Sequence, residues 1–209
     1  MSFALNEVEA MAKRATRGAG YPWGLAEEAA KATRWLCARG LDGCAILAGL
    51  LNAGFGPALA DHTPGDLTGD WQATGALCPL ATGATLSDMA NRLDQGPVTL
   101  HRVRAPGLIL PFAAMTARRM TACVTLTCDA ATIVTDGTGL TGAASLPDHA
   151  DRLILSIGGT PPAPTQLASR ATPAPAAWQT LGRFAQRTYA PATEESRLLG
   201  AGAGLSDND

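Results

Sequence analysis

Thr16–Gly40, TRGAGYPWGLAEEAAKATRWLCARG, is the stretch around which the rest of the chain reads. It begins with Gly18 and Gly20, turns through Tyr21-Pro22-Trp23, and continues as an alanine-rich run with charges at helical spacing. Leu25 to Arg39 holds neither glycine nor proline, so helix propensity is high. Leu25, Ala29, Ala32 and Leu36 form one apolar stripe, and Ala26, Ala30, Thr33 and Cys37 lie beside it. Side chains this small let another backbone approach closely, so the helix is expected deep in the protein. Glu27 precedes Lys31 by four residues, the favoured order for a helical ion pair. Glu27 and Glu28 stand in the first turn, where the helix dipole favours acids, and Arg34 and Arg39 toward the far end, where it favours bases. Gly40 is the expected stop.

Outward from this helix, Asn6-Glu-Val-Glu9 reads as a capping box opening a helix through about Arg17, with Val8, Met11, Ala12 and Ala15 on one face. Cys44–Asn52 reads as a short, very apolar third helix, so residues 1–56 form a helical unit. Residues 57–97 read as a loop-rich connector, in which Thr85–Asp88 caps a short helix over Met89–Leu93. The texture changes at 98–157. Val98–Val103 alternates, and Leu108–Phe112, Ala122–Thr127, Thr132–Thr135 and Arg152–Ile157 are short β-rich runs. With no long helical pattern between the first four runs, a mainly antiparallel sheet fits better than βαβ units. Residues 158–175 are proline-rich and read as a surface linker. Ala176–Tyr189 reads as an amphipathic helix with Trp178, Leu181, Phe184 and Ala185 inward, and a C-terminal tail completes 176–209. The expectation is one α+β domain: N-terminal helices on a mainly antiparallel sheet, closed by a C-terminal helix.

At 209 residues the chain can bury roughly 70% of its unfolded surface and needs no staples. Charged residues make up 16% and the net charge is −2, which argues against nucleic acid as the main partner. Arginine carries nearly all the positive charge; the only lysines are Lys13 and Lys31. Arginine grips carboxylates and phosphates through a planar fork. The five cysteines include no CxxC pair, so no zinc or disulfide-exchange motif is indicated. No signal segment or apolar run of membrane-spanning length is read, which points to reduced thiols, the cytoplasm and no membrane.

Gly137-Thr-Gly139-Leu-Thr-Gly142 matches GxGxxG but opens no helix, since Pro147 and two aspartates follow. It reads as a glycine-rich hairpin turn, and no cofactor is expected. His62, His101 and His149 stand apart without a ligand pattern, so no metal site is expected. Asp61-His62 reads as a solvated loop, Cys37 as a small core residue, and Cys78 as the cysteine to test for reactivity.

The candidate site is at the bend. Arg17, Gly18 and Gly20 lead to Tyr21 and Trp23 at the N-terminus of the central helix, where free N–H groups suit a carboxylate or phosphate. Glu27 and Glu28 stand one turn in as candidate catalytic bases. The same residues also fit a structural role, with the glutamates satisfying the helix end and the aromatics plugging the core. Arg187 and Arg197 are candidates for a second anion clamp. The residues after Gly200 are either a solvated tail or a flap whose acidic end closes on a site or a neighbouring subunit.

LNEVEAMAKRATRGAGYPWGLAEEAAKATRWLCARGL near the start and FAQRTYAPATEESRLLGAGAGLSDND at the end resemble the family known as domain of unknown function 3726. The resemblance runs along nearly the whole chain and implies a bacterial, cytoplasmic protein, with no activity or catalytic residue to carry over. Two functions follow from the residues. One is a cofactor-independent enzyme on a small anionic, amino-acid-like metabolite. The other is a non-catalytic subunit, homo-oligomeric or accessory, with a metabolite-binding sensor between them.

Overall fold

The computed structural model describes residues 1–129, 131–142, 146–163 and 166–189. Two short strands, β1 (Phe3–Ala4) and β7 (Arg170–Ala171), pair with each other away from the main sheet. That sheet comprises β2 (Val98–Arg104), β3 (Val124–Cys128), β4 (Ala131–Thr135), β5 (Leu140–Thr141) and β6 (His149–Ile157). Its order is β2-β6-β3-β4-β5, antiparallel throughout. One row of partners, Val98–Leu155–Leu126–Ile133, lies on the buried face. The next, Thr99–Ile154–Thr127–Thr132, lies on the other face, as strand alternation requires. The α+β class and the helical start and finish are those the sequence indicates.

The helices are α1 (Leu5–Gly18), α2 (Trp23–Ala38), α3 (Gly43–Asn52), α4 (Pro79–Asp88), α5 (Ile109–Met120) and α6 (Pro175–Gln186). Helix α1 packs on α2 and α6, and α3 on α2 and α6. Helix α5 lies on β3 and β4 and carries α4, and α2 touches both. Ala26, Ala29, Ala30, Ala32, Thr33, Leu36 and Cys37 of α2 are all buried, as its small-residue stripe anticipates. At the start of α1, Glu7 rather than Glu9 closes the end: its carboxylate accepts from the Ala4 N–H at 2.6 Å. Glu9 instead pairs with Arg34.

Several sequence expectations need correction. Leu108–Phe112 is not a strand: it is a 3₁₀ turn running into α5, with Pro111 in the first turn, where a missing N–H costs nothing. A long helix therefore does separate β2 from β3. Residues 57–97 are more than a connector, because α4 ends at Asp88, where a cap was expected, and a 3₁₀ segment, Ala90–Gln95, follows. Gly83 in mid-helix lowers local propensity by about 1 kcal/mol. Its missing side chain leaves room for the Phe112 ring, so tertiary packing overrides the local preference. The 158–175 stretch is tied down by β7 and by the Ala168 N–H, which donates to the Ala38 carbonyl at 2.8 Å.

Candidate functional site

The bend between α1 and α2 comes first. Gly20 adopts φ +93°, and the Tyr21 N–H donates to the Thr16 carbonyl at 3.3 Å, so the chain reverses tightly. The reversal swings Tyr21 inward, where its ring is fully buried and its hydroxyl lies 3.7 Å from Cys78 Sγ. Burial, with Cys78 beside it, pushes the Tyr21 phenol well above its ordinary range. Gly18 faces α6: a Cβ there would overlap the Phe184 carbonyl, so the glycine permits a helix crossing rather than an approach by a ligand. Arg17 donates to the Tyr21 carbonyl and lies over the Trp23 ring at 4.5 Å. Trp23 is 62% exposed, with Lys13 on its ring at 5.6 Å.

The two candidate bases point outward. Glu27 pairs with Lys13 at 2.7 Å and Glu28 with Lys31 at 2.8 Å. The hydrogen bond from Lys13 holds the Glu27 carboxyl below its usual range. This departs from the expected anion hollow: of its two aromatics Tyr21 is in the core while Trp23 is exposed, Gly18 is a packing contact, and Glu27 and Glu28 are in surface pairs. The structure does bring Arg187 to Gly18, but its guanidinium stacks on Phe184 at 4.5 Å. Arg197 and the tail after Gly200 lie outside the described residues.

Two other expectations also change. Cys78 is fully buried against Tyr21, and burial raises its thiol, so it is the wrong cysteine to test for reactivity. His62 is no solvated loop residue: it stacks on Phe55 at 3.7 Å and bonds the Ala76 carbonyl through Nδ1 at 2.8 Å. Of the GxGxxG run, Gly137 to Gly139 lie in the hairpin connection between β4 and β5, Leu140 and Thr141 are β5, and Gly142 follows it.

A different arrangement appears at the other end of α2. Arg39 lies over the Trp35 ring at 3.8 Å and donates through Nη1 to the Trp35 carbonyl at 3.2 Å. Its Nε and Nη2 donate to the Thr138 carbonyl at 3.2 and 2.6 Å. A guanidinium has five N–H groups, so one on each Nη remains to bind something else. Arg118 of α5 stands close by, with its stem packed over Gly137. The nearest acid, Asp136, is already engaged: its Oδ1 accepts from the Thr138 and Gly139 N–H groups, both at 2.8 Å, and from the Thr138 hydroxyl at 2.7 Å. Those bonds hold its carboxyl down at about 2. Among the described residues neither Arg39 nor Arg118 has a carboxylate within salt-bridge distance. Partial burial and the repulsion of Arg118 pull Arg39 down to about 10.

These side chains line an open hollow of about 450 Å³ with Lys31, Arg34, Glu9, Leu5, Trp35 and Leu167. Its walls are thus four cations, one carboxylate and an apolar strip. Glu9 is held by Arg34 at 2.7 Å, so no free carboxylate stands in it.

With the geometry in hand, the comparisons add a family. Residues 3–91 match the family model described as protein of unknown function (DUF3726), and over that segment the resemblance noted in the sequence is shown. The matched part runs from β1 past the end of α4 and includes Trp35 and Arg39. No curated protein matches the chain. No single helix among the described residues is long and apolar enough to cross a membrane.

The groove residues were largely missed in the sequence. Trp35 and Arg39 stand four apart, the spacing that stacks an arginine on an aromatic along a helix, and that signal was readable. Arg118 gave no such signal, because α5 was read partly as strand and its approach to Arg39 is purely tertiary.

Proposed function

We propose that this protein binds a small organic anion with an apolar portion in the hollow between α2, α5 and the 166–171 segment, and holds it without transforming it. The observation that carries this reading is the Arg39–Arg118 pair: two like charges lining one hollow, Arg39 stacked on the Trp35 indole, with Oδ1 of the neighbouring Asp136 held by its own turn. Lys31 and Arg34 are balanced by Glu28 and Glu9, so the cations without a salt bridge among the described residues are Arg39 and Arg118, where Asp136 offsets Arg39 only from beyond salt-bridge distance. A carboxylate or phosphate there relieves the repulsion and meets the two spare N–H groups of Arg39. Trp35, Leu5 and Leu167 give the rest of the molecule an apolar wall. The volume falls within the range of about 300–1,000 Å³ usual for small-molecule sites. The described residues of the hollow offer cations and stacking, the chemistry of holding an anion.

The test is a thermal-shift and calorimetric screen with inorganic phosphate, alkyl and aryl carboxylates, amino acids and phosphorylated metabolites. Ligands with both an anionic and an apolar part are expected to raise Tm more than inorganic phosphate does. At a hundredfold excess over Kd the added stability is about 2.7 kcal/mol. No shift from any class overturns the reading. The second reading, a homo-oligomeric or accessory subunit, is favoured by the sheet face on which Thr127 and Ile154 stand opposite each other, both half-buried. Sedimentation at micromolar concentration tests it: a single monomeric species removes it.

A further inference from the structure

The turn joining β4 to β5 touches both arginines of the anion hollow. Its backbone is held from two sides. Asp136 Oδ1 accepts from the Thr138 and Gly139 N–H groups, both at 2.8 Å. The Thr135 hydroxyl accepts from the Gly137 N–H at 3.0 Å and donates to the Gly139 carbonyl at 2.9 Å. The Thr138 carbonyl of that turn takes the Nε and Nη2 groups of Arg39 at 3.2 and 2.6 Å. One residue earlier Gly137, at φ +94°, lies against the stem of Arg118: a Cβ there would overlap Arg118 Cγ and lie 2.9 Å from the Ala114 carbonyl oxygen. Pro162 packs beside Gly139, where a Cβ would lie 2.8 Å from its ring. Two adjacent residues of one braced turn thus each hold one of the two arginines.

We infer that the hollow takes the dianionic head of a phosphate monoester on an apolar body, bridged by Arg39 and Arg118, and that the Asp136–Gly139 turn spaces the pair for it. This rests on the receptor reading above and narrows it. Arg39 spends Nε–H and one N–H of Nη2 on the Thr138 carbonyl, and one N–H of Nη1 on the Trp35 carbonyl. One N–H on each Nη is left, enough to take two oxygens of a single group. Arg118, on the same hollow, adds the second charge. Lys31 and Arg34 are already engaged by Glu28 and Glu9, and among the described residues neither Arg39 nor Arg118 has a carboxylate within salt-bridge distance. A carboxylate brings one charge and two oxygens, whereas a phosphate monoester brings a charge of about −1.5 to −2 and three acceptor oxygens at neutral pH. The attraction grows with the product of the charges, so the dianion gains from both arginines at once. Trp35, Leu5 and Leu167 then face the organic half of the ester. Asp136 is a positioning residue in this arrangement: its Oδ1 is turned to the hairpin, and it acts on the anion through the Thr138 carbonyl and Arg39.

The experiment is calorimetry on the full chain with phenyl phosphate, phenyl sulfate and benzoate, which share a ring and differ in the charge and shape of the head. Phenyl phosphate is expected to bind at least about tenfold more tightly than the other two at neutral pH. Its affinity is expected to rise as the second proton leaves, at about pH 6, while those of the sulfate and benzoate stay level. The charged side chains of the hollow and its turn are Glu9, Lys31, Arg34, Arg39, Arg118 and Asp136, and no histidine lines it among the described residues. Carboxylates, lysine and arginine ordinarily titrate well away from about pH 6, so a rise there belongs to the ligand. Asp136→Ala removes the acceptor that builds the turn and is expected to cut phenyl phosphate affinity at least about tenfold. Asp136→Asn keeps an acceptor oxygen without the charge and is expected to restore both affinity and pH profile. The inference is overturned if benzoate or phenyl sulfate binds as tightly as phenyl phosphate, if phosphate affinity ignores pH, or if Asp136→Ala binds like the wild type. Should the wider screen find organic carboxylates and no phosphate ester, this inference alone falls; should it find no ligand at all, the receptor reading falls with it. If Asp136→Ala fails to fold by circular dichroism, the three-ligand comparison on the wild type decides alone.

Discussion

Toward each end of helix α2 a tryptophan lies under an arginine, Trp23 under Arg17 of α1 and Trp35 under Arg39 just past the helix. At the N-terminal end the charges are settled locally. Lys13 pairs with Glu27, Arg17 caps the Tyr21 carbonyl, and the bend itself closes on the core. At the C-terminal end the stacked arginine meets a second arginine and no free acid. One end is a finished packing element and the other holds unbalanced charge beside a hollow. Residue types are nearly the same at both. What separates them is whether a carboxylate arrives in space, and at the second end Asp136 turns its Oδ1 to its own hairpin and stays beyond salt-bridge distance of Arg39.

The strongest way to break this contrast is Gly18→Ala. If the bend is a packing element, the new methyl runs into the Phe184 carbonyl and stability falls by roughly 1–3 kcal/mol, read as a lower urea midpoint. An unchanged midpoint would mean that the α1–α6 crossing yields easily and the bend is not fixed by packing. Arg118→Glu sharpens the other end: the reversed charge pairs with Arg39, and affinity for an organic anion drops at least about tenfold, or 1.4 kcal/mol, by calorimetry. The same change at Arg17 should leave binding where it was.

Acid gives the third comparison. The Asp136 carboxyl is depressed to about 2 from an ordinary 3.8, so the β4–β5 turn gains stability that is complete above roughly pH 4. That contribution is lost as pH falls through 2, and following the carboxyl resonance by NMR across that window checks it. A midpoint near 3.8 would mean that neither the turn nor Arg39 holds the Asp136 carboxylate. The smallest effect is expected for Glu27→Gln, which removes an exposed pair with Lys13 and should leave both Tm and anion binding unchanged. A loss of ligand binding there would restore the bend as a site.

How far the sequence could be read varied with the range of the interaction. The burial of α2 followed from Ala29, Ala32 and Leu36 at helical spacing, and the hairpin from Gly137, which adopts φ +94°. Helix α4 was hidden by Gly83, whose purpose appears only once Phe112 lies against it. Helix α5 was hidden by the β-rich letters of Leu108–Phe112. Tyr21 misled because an aromatic in a glycine–proline turn reads equally well facing in or out; the direction depends on Cys78, 57 residues away.

By itself the sequence determined the α+β class, the central alanine helix, the stops at Gly20 and Gly40, and the family resemblance that the match over residues 3–91 shares. Those features rest on propensity and on periodicity within a few residues, which a chain carries wherever it folds. Tertiary structure alone decided which arginines meet, which acid is already engaged, and which cysteine lies against Tyr21. Such pairings depend on charges and thiols brought together from distant segments, and their energies change sign with a few ångströms of separation.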